Sequence, residues 1–149
     1  MKIVVDTNIL FSGMLNSTSK IGQILLGSKG VFEFYSCNFL FIELMKHKNK
    51  LLSLTKLSEV DLVELQNKLS QNITFINELL IPKEIYKSSE LLLEGIDTKD
   101  TPYVALATHI KALLWTGDMK LISGLKRKTY NNVISTFELI LLSSGIPKE

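Results

Sequence analysis

With 149 residues, 46% of them hydrophobic and 21% charged, the chain has the length and balance of one domain, 1–149, with a real core. A net charge of +2 selects no partner, no apolar run approaches the roughly 18 to 20 residues of a bilayer span, and Lys2 leads straight into a strand without signal-peptide architecture, which points to a cytoplasmic protein with no membrane. One cysteine, Cys37, excludes an intrachain disulfide and reads as a core or helix-start residue, and two histidines exclude a Cys/His zinc constellation.

In chain order, short β-branched or aromatic runs alternate with segments of helical period, the pattern of a mostly parallel sheet covered on both faces. Strands are expected at about Lys2–Val5, Phe32–Ser36, Ile73–Ile76, Leu113–Thr116 and Asn132–Ile134. An apolar helical pattern begins at Ile9-Leu10-Phe11, and Ser19–Leu26 carries another, with Gly27 and Gly30 placed to end it. Asn38 is placed to cap a helix through Lys50. Ser58 is placed to cap the next, with Asp61 at the capping-box position, so that Thr55–Ser70 completes a helical hairpin. Pro82 suits the first turn of a helix to about Glu94, with Gly95 closing it, and Thr101-Pro102 opens one through Lys111. The last, Thr136–Ser144, stops at Gly145-Ile146-Pro147.

Four carboxylates stand beside or inside apolar segments. Asp6 follows the buried run Ile3-Val4-Val5, and the carboxyl end of a strand is where open α/β sheets bind ligands. Its alternative is a turn or helix-capping aspartate. Glu43 is the lone charge in Phe39-Leu40-Phe41-Ile42-Glu43-Leu44-Met45, and either faces solvent by helical geometry or is held buried by a cation. Asp97 and Asp100 precede the Pro102 helix, where capping is the simpler reading. Asp118 follows Leu113-Leu114-Trp115-Thr116-Gly117 and gives a second strand-end aspartate, with Gly117 permitting a tight turn. Together the four, Asp6, Glu43, Asp100 and Asp118, read as hard oxygen donors for a divalent metal.

In this order the residues resemble the PIN-domain nucleases. Val5-Asp6-Thr7-Asn8-Ile9-Leu10 is similar to the family's opening motif, Glu43 falls where its second acid is expected, Asp100-Thr101-Pro102-Tyr103-Val104-Ala105-Leu106-Ala107 resembles the third motif, and Thr116-Gly117-Asp118 the fourth. The resemblance implies a three-layer α/β/α sandwich on a five-stranded parallel sheet, and Mg²⁺- or Mn²⁺-dependent cleavage of RNA. It also implies frequent homodimers and often an antitoxin partner. It makes Asp6, Glu43, Asp100 and Asp118 the catalytic metal ligands, Asp97 an auxiliary acid, and Asn8 and Thr116 groups that orient those acids or the scissile phosphate. Lys120 departs from a common form of the fourth motif, which has another acid there.

Charge is unevenly distributed. Lys46, Lys48, Lys50 and Lys56 form one basic group without an intervening acid, and Lys120, Lys126, Arg127 and Lys128 form another; Glu78 to Asp100 is acid-rich. Basic groups flanking a carboxylate cluster suit an RNA backbone, although lysines also serve merely as a solvated face. His47 and His109 lie in helical patterns and read as surface or structural residues, and Trp115, Phe39 and Phe41 as packing. Two other classes compete. A phosphatase or phosphotransfer domain wants a second aspartate two positions after the first, where Asn8 stands. A PIN-like module that binds RNA or protein without cutting would not require all four acids.

Overall fold

The computed structural model describes residues 1–27 and 30–145. Five short strands, β1 (Lys2–Val5), β2 (Glu33–Cys37), β3 (Ile73–Ile76), β4 (Leu113–Trp115) and β5 (Val133–Ile134), form a wholly parallel sheet in the order β3-β2-β1-β4-β5. Every strand-to-strand link is therefore a crossover carrying helix. α1 (Thr7–Leu15) and α2 (Lys20–Gly27) join β1 to β2, and α3 (Phe39–Lys46), α4 (Lys48–Thr55) and α5 (Glu59–Ser70) join β2 to β3. α6 (Lys83–Leu92) and α7 (Thr101–Ile110) join β3 to β4, α8 (Met119–Arg127) joins β4 to β5, and α9 (Thr136–Ser143) follows. The path β1-β2-β3 runs one way across the sheet and β4-β5 the other. Right-handed crossovers then place α1 to α5 on one face and α6 to α8 on the opposite face.

The strands pack without alternation because both faces are covered. Ile3, Val4, Val5, Leu114 and Trp115 have no exposed surface, and the first seven residues of α7, Thr101 to Ala107, are buried, its Ala105 and Ala107 allowing close approach to the sheet. Phe34 and Trp115 meet at 6.0 Å between ring centroids, and the Trp115 indole donates to Thr136 Oγ1 at 2.9 Å. Cys37 is a core residue at the end of β2, its thiol pushed up to about 12 by burial and by Glu78.

Several boundaries differ from expectation for local reasons. The helix expected from Asn38 to Lys50 is two, meeting at His47, and Asn38 itself has helical backbone angles and makes no capping bond with its side chain. A turn with Lys56 in the left-handed conformation at φ 57° separates α4 from α5, and both helices pack chiefly on α1 rather than on each other as the expected hairpin. Ser58 accepts from the Asp61 N–H as expected, whereas the reciprocal capping box belongs to Ser135 and Glu138. Absent from the sequence-based expectation is α8, a short amphipathic helix whose buried Leu121, Ile122 and Leu125 surround Gly124, a poor helix former. That glycine has a structural reason: a Cβ there would lie 2.8 Å from Ile96 Cδ1 and Cγ1. Of the expected stop after α9, Ile146 and Pro147 lie outside the described residues. Among the described residues no helix is long and apolar enough to cross a membrane.

Candidate functional site

Strand β1 leads to α1 and β2 on one side, while its other neighbour β4 is reached only after the chain has reversed direction. The carboxyl ends of β1 and β4 thus border the topological switch point of the sheet, where open α/β folds bind ligands. Asp6 and Asp118 emerge there. Asp6 is 3% exposed and caps α1, one carboxylate oxygen accepting the Ile9 N–H at 3.0 Å. Asp118 caps α8 and accepts from the N–H groups of Lys120 at 2.9 Å and Leu121 at 3.2 Å. The capping alternative for Asp6 is thus correct as far as it goes, Asp118 caps as well, and both caps orient the carboxylates without neutralising them.

Thr116 connects the two acids. Fully buried, it hydrogen-bonds the Asp6 carboxylate, and its Oγ1 accepts the Asp118 N–H at 3.1 Å. Asn8 contributes its backbone N–H to Asp6 and sits exposed at the rim. Asp100 occupies the N-cap position of α7 but makes no capping bond, so its carboxylate is uncommitted; the Asp97 carboxylate, by contrast, accepts the Lys99 N–H at 3.0 Å.

These acids share one cavity of about 190 Å³, lined by Asp6, Asn8, Glu43, Asp97, Asp100 and Asp118. Glu43 reaches it from α3 across the sheet end, half-buried, which rejects the purely solvent-facing alternative. Four further residues complete the wall: Thr7, His47, Lys99 and Tyr103. Thr7 and Tyr103 hydrogen-bond each other through their hydroxyls, and His47 packs edge-on against Phe11 at 5.9 Å. Sequence reasoning missed Lys99 and Tyr103 as wall residues, although Lys99 immediately precedes the third motif and Tyr103 lies within it. His47 lies four residues after Glu43 and so shares its helical face, the one signal that places it here.

The electrostatics follow from crowding. Burial pushes the Asp6 carboxyl up to about 6 against the lowering effect of Thr116 and the Ile9 N–H, with Asp118 raising it further. Asp100 is pushed up to about 7, first by burial and then by Asp6, Asp97, Asp118 and Glu43. Repelling oxygen donors of this kind are the chemistry that a hard divalent cation relieves. Asp6, Glu43, Asp100 and Asp118 fit such an ion by donor type, with Asp97 beside them. Among the described residues no three acidic, histidine or cysteine side chains are already gathered tightly enough to hold one ion, so the carboxylates surround the space without closing on it.

The four basic residues after Asp118 differ in their contacts. Lys128 Nζ donates to the Leu92 and Glu94 carbonyls at 2.8 and 2.6 Å, a tether on the end of α6, and Lys126 pairs with Glu138 at 3.4 Å. Lys120 is not among the residues lining the acid cavity and, with Arg127, lines a separate groove.

The sequence pattern of the PIN domain matches residues 4–138, a span that contains all five acids. No curated protein matches in sequence. Among solved structures, a chain in the crystal structure of VapBC2 from Rickettsia felis bound to a DNA fragment from their promoter superposes with a TM-score of 0.64 at 17% identity, covering 91% of this chain and 97% of that one. A chain of a toxin-antitoxin complex from Klebsiella pneumoniae gives 0.59 at 18% identity, covering 91% and 98%. At such identities the likeness is one of fold.

Proposed function

The chain belongs to the PIN-domain family, and from that premise we propose that it is an endoribonuclease dependent on Mg²⁺ or Mn²⁺, with Asp6, Glu43, Asp100 and Asp118 as its catalytic metal ligands. The observation that carries this reading is the convergence of those four acids, from four separate segments, on one cavity at the ends of β1 and β4. When bound, the metal supplies Lewis-acid stabilisation of the charge that develops on the phosphate oxygens. The residues do the positioning. Thr116 and the first turn of α1 fix the Asp6 carboxylate, the first turn of α8 fixes Asp118, and Asp100 faces the cavity with both oxygens free of a capping bond. Asp97 is an auxiliary acid. In this reading the Asn8 amide and the Lys99 ammonium, from residues that line the cavity, meet the scissile phosphate, whose charge would otherwise be repelled by the acids.

A role as the toxin of a toxin-antitoxin pair is part of the same proposal, supported by the fold shared with chains of two such assemblies. Self-association is supported by exposed apolar side chains such as Leu79, Leu80 and Phe137, and the span of the family match supports a single domain. The direct test incubates the purified chain with end-labelled RNA in Mg²⁺ or Mn²⁺, then in chelator, and maps the product ends. Internal cuts that need metal and disappear in Asp118→Asn are expected. Metal-independent cutting, or cutting that survives in Asp118→Asn, would overturn the assignment.

A further inference from the structure

At the edge of the sheet, β3 runs out into a single 3-10 turn, Glu78–Leu80, that leads through Ile81 and Pro82 into α6. The turn is pinned at both ends. The Asn77 side chain accepts the Leu79 N–H at 3.0 Å, the Ile81 N–H donates to the Glu78 carbonyl at 3.1 Å, and the Ile81 side chain is buried. Held this way, the turn leaves Leu79 and Leu80 in solvent, Leu79 being 85% exposed, while one carboxylate oxygen of Glu78 is buried. That oxygen, Oε2, is the one buried side-chain nitrogen or oxygen without a hydrogen-bond partner among the described residues. A buried anionic oxygen without a donor is costly, and such exceptions call for a reason. Burial pushes the Cys37 thiol and the Tyr86 hydroxyl up and Glu78 adds to both, so both groups lie near it, yet neither donates to Oε2. Nor does a lysine: the ion pairs among the described residues are Lys48–Glu59 and Lys126–Glu138.

Glu78 lines a pocket of about 310 Å³ together with Leu79, Ile81, Lys83, Tyr86 and Lys87, none of which lines the acid cavity. We infer that this pocket receives an arginine side chain of a protein partner, the guanidinium donating to the Glu78 carboxylate and the aliphatic stem lying along Leu79, Ile81 and the Tyr86 ring. Charge complementarity sets the sign of the group. A guanidinium suits the site better than an ammonium because it is more weakly hydrated, presents a fork of donors and stacks on aromatic rings, while its stem covers apolar surface. Lys83 and Lys87, four apart on α6 and exposed, would repel a bare cation and so select a segment that carries a carboxylate close to its arginine. Leu79 and Leu80 supply the apolar border that keeps water from such an anchor. Self-association through these leucines would compete for the same surface. A two-fold pair, however, needs both groups of each contact in one patch, and this chain holds its sole arginine, Arg127, on the helix between β4 and β5, at the other end of the sheet order from β3. The inference does not depend on the ribonuclease reading.

The test is an NMR titration of the ¹⁵N-labelled full chain with the capped pentapeptide Leu-Arg-Ala-Glu-Leu and with the same peptide carrying citrulline, a neutral analogue, in place of arginine. The arginine peptide should move the amide signals of Glu78, Leu79, Tyr86 and Lys87. It should bind Glu78→Gln about tenfold more weakly than wild type, as for the loss of one charge-assisted hydrogen bond, and the citrulline peptide should show the same deficit on wild type. Asp118→Asn should bind as wild type does. Equal binding of the two peptides to wild type, equal binding of the arginine peptide to wild type and Glu78→Gln, or no saturable shift would each overturn the assignment. Shifts that fall around the acid cavity and vanish in Asp118→Asn would overturn it as well, since the peptide would then sit on the acids. Sedimentation of the chain alone separates the remaining occupant: an oligomer that dissociates in Glu78→Gln would make a second copy the partner and overturn the proposal. Whether the chain cuts RNA alters none of these readouts.

Discussion

Replacing Asp6 by Asn removes a buried charge while keeping a side chain that caps helices equally well, so the variant isolates the electrostatics of the acid cavity. In metal-free protein the Asp6 carboxyl titrates at about 6 against 3.8 in the free side chain. Because burial raises this acid, the penalty is absent below the unfolded value, grows as pH rises through the interval from 3.8 to about 6, and is complete above it. Ionised, the group costs the fold roughly 3 kcal/mol, at about 1.4 kcal/mol for each pH unit by which the titration is displaced. Asp6→Asn in chelator should therefore match wild type near pH 4 and exceed it at pH 8 by up to that amount. For a chain of this size the difference corresponds to a Tm gain of about 6 to 12 °C. Saturating Mn²⁺ should reverse the ranking, raising wild-type Tm and leaving the variant nearly unmoved. Differential scanning fluorimetry from pH 4 to 8, with and without metal, measures all of this. A variant no more stable than wild type at pH 8 in chelator would refute the claim that Asp6 is a strained buried anion, and equal gains from Mn²⁺ would refute its place as a ligand.

Thr116→Val keeps the shape of the buried side chain but leaves the Asp118 N–H without its acceptor and Asp6 without a hydroxyl; it should cost about 1 to 3 kcal/mol in denaturant titration and shift the Asp6 carboxyl further up in an NMR titration. Tyr103→Phe strips the partner of the buried Thr7 hydroxyl, and a loss of about 1 to 2 kcal/mol by chemical unfolding is expected; an unchanged midpoint would remove that pair from the wall's support. Lys128→Ala should lower stability by about 1 kcal/mol, because two carbonyls at the end of α6 lose their donor, yet leave RNA affinity in anisotropy titrations unchanged. A large fall in affinity would return Lys128 to the RNA-contacting set.

The parts of the fold that sequence makes legible are those with strong local grammar. Ile3-Val4-Val5 and Leu113-Leu114-Trp115 are apolar without alternation, as strands covered on both faces must be, and each ends at an aspartate. Asp6 and Asp118 were therefore visible from either side of the argument. Glu43 stood out as the lone charge of an apolar run, but whether it faced solvent or the sheet end stayed open, and the break at His47 that ends α3 has no glycine or proline to announce it. The four cations after Asp118 look equivalent in sequence, and only the tertiary fold separates the tether Lys128 and the paired Lys126 from Lys120 and Arg127. α8 escaped notice because its middle is a glycine selected by a neighbour rather than by the helix.

That glycine sets an aperture. Ile96 rests where the Gly124 side chain would be, and the strip of chain leading from Ile96 carries Asp97 and Asp100, whereas the helix bearing Gly124 begins at Asp118. A methyl at position 124 would meet Ile96 Cδ1 and Cγ1 at 2.8 Å, so either the Ile96 side chain turns aside or the two carriers part. The seam between the segment that bears Asp97 and Asp100 and the helix that begins at Asp118 is thus closed by a residue that touches none of the acids.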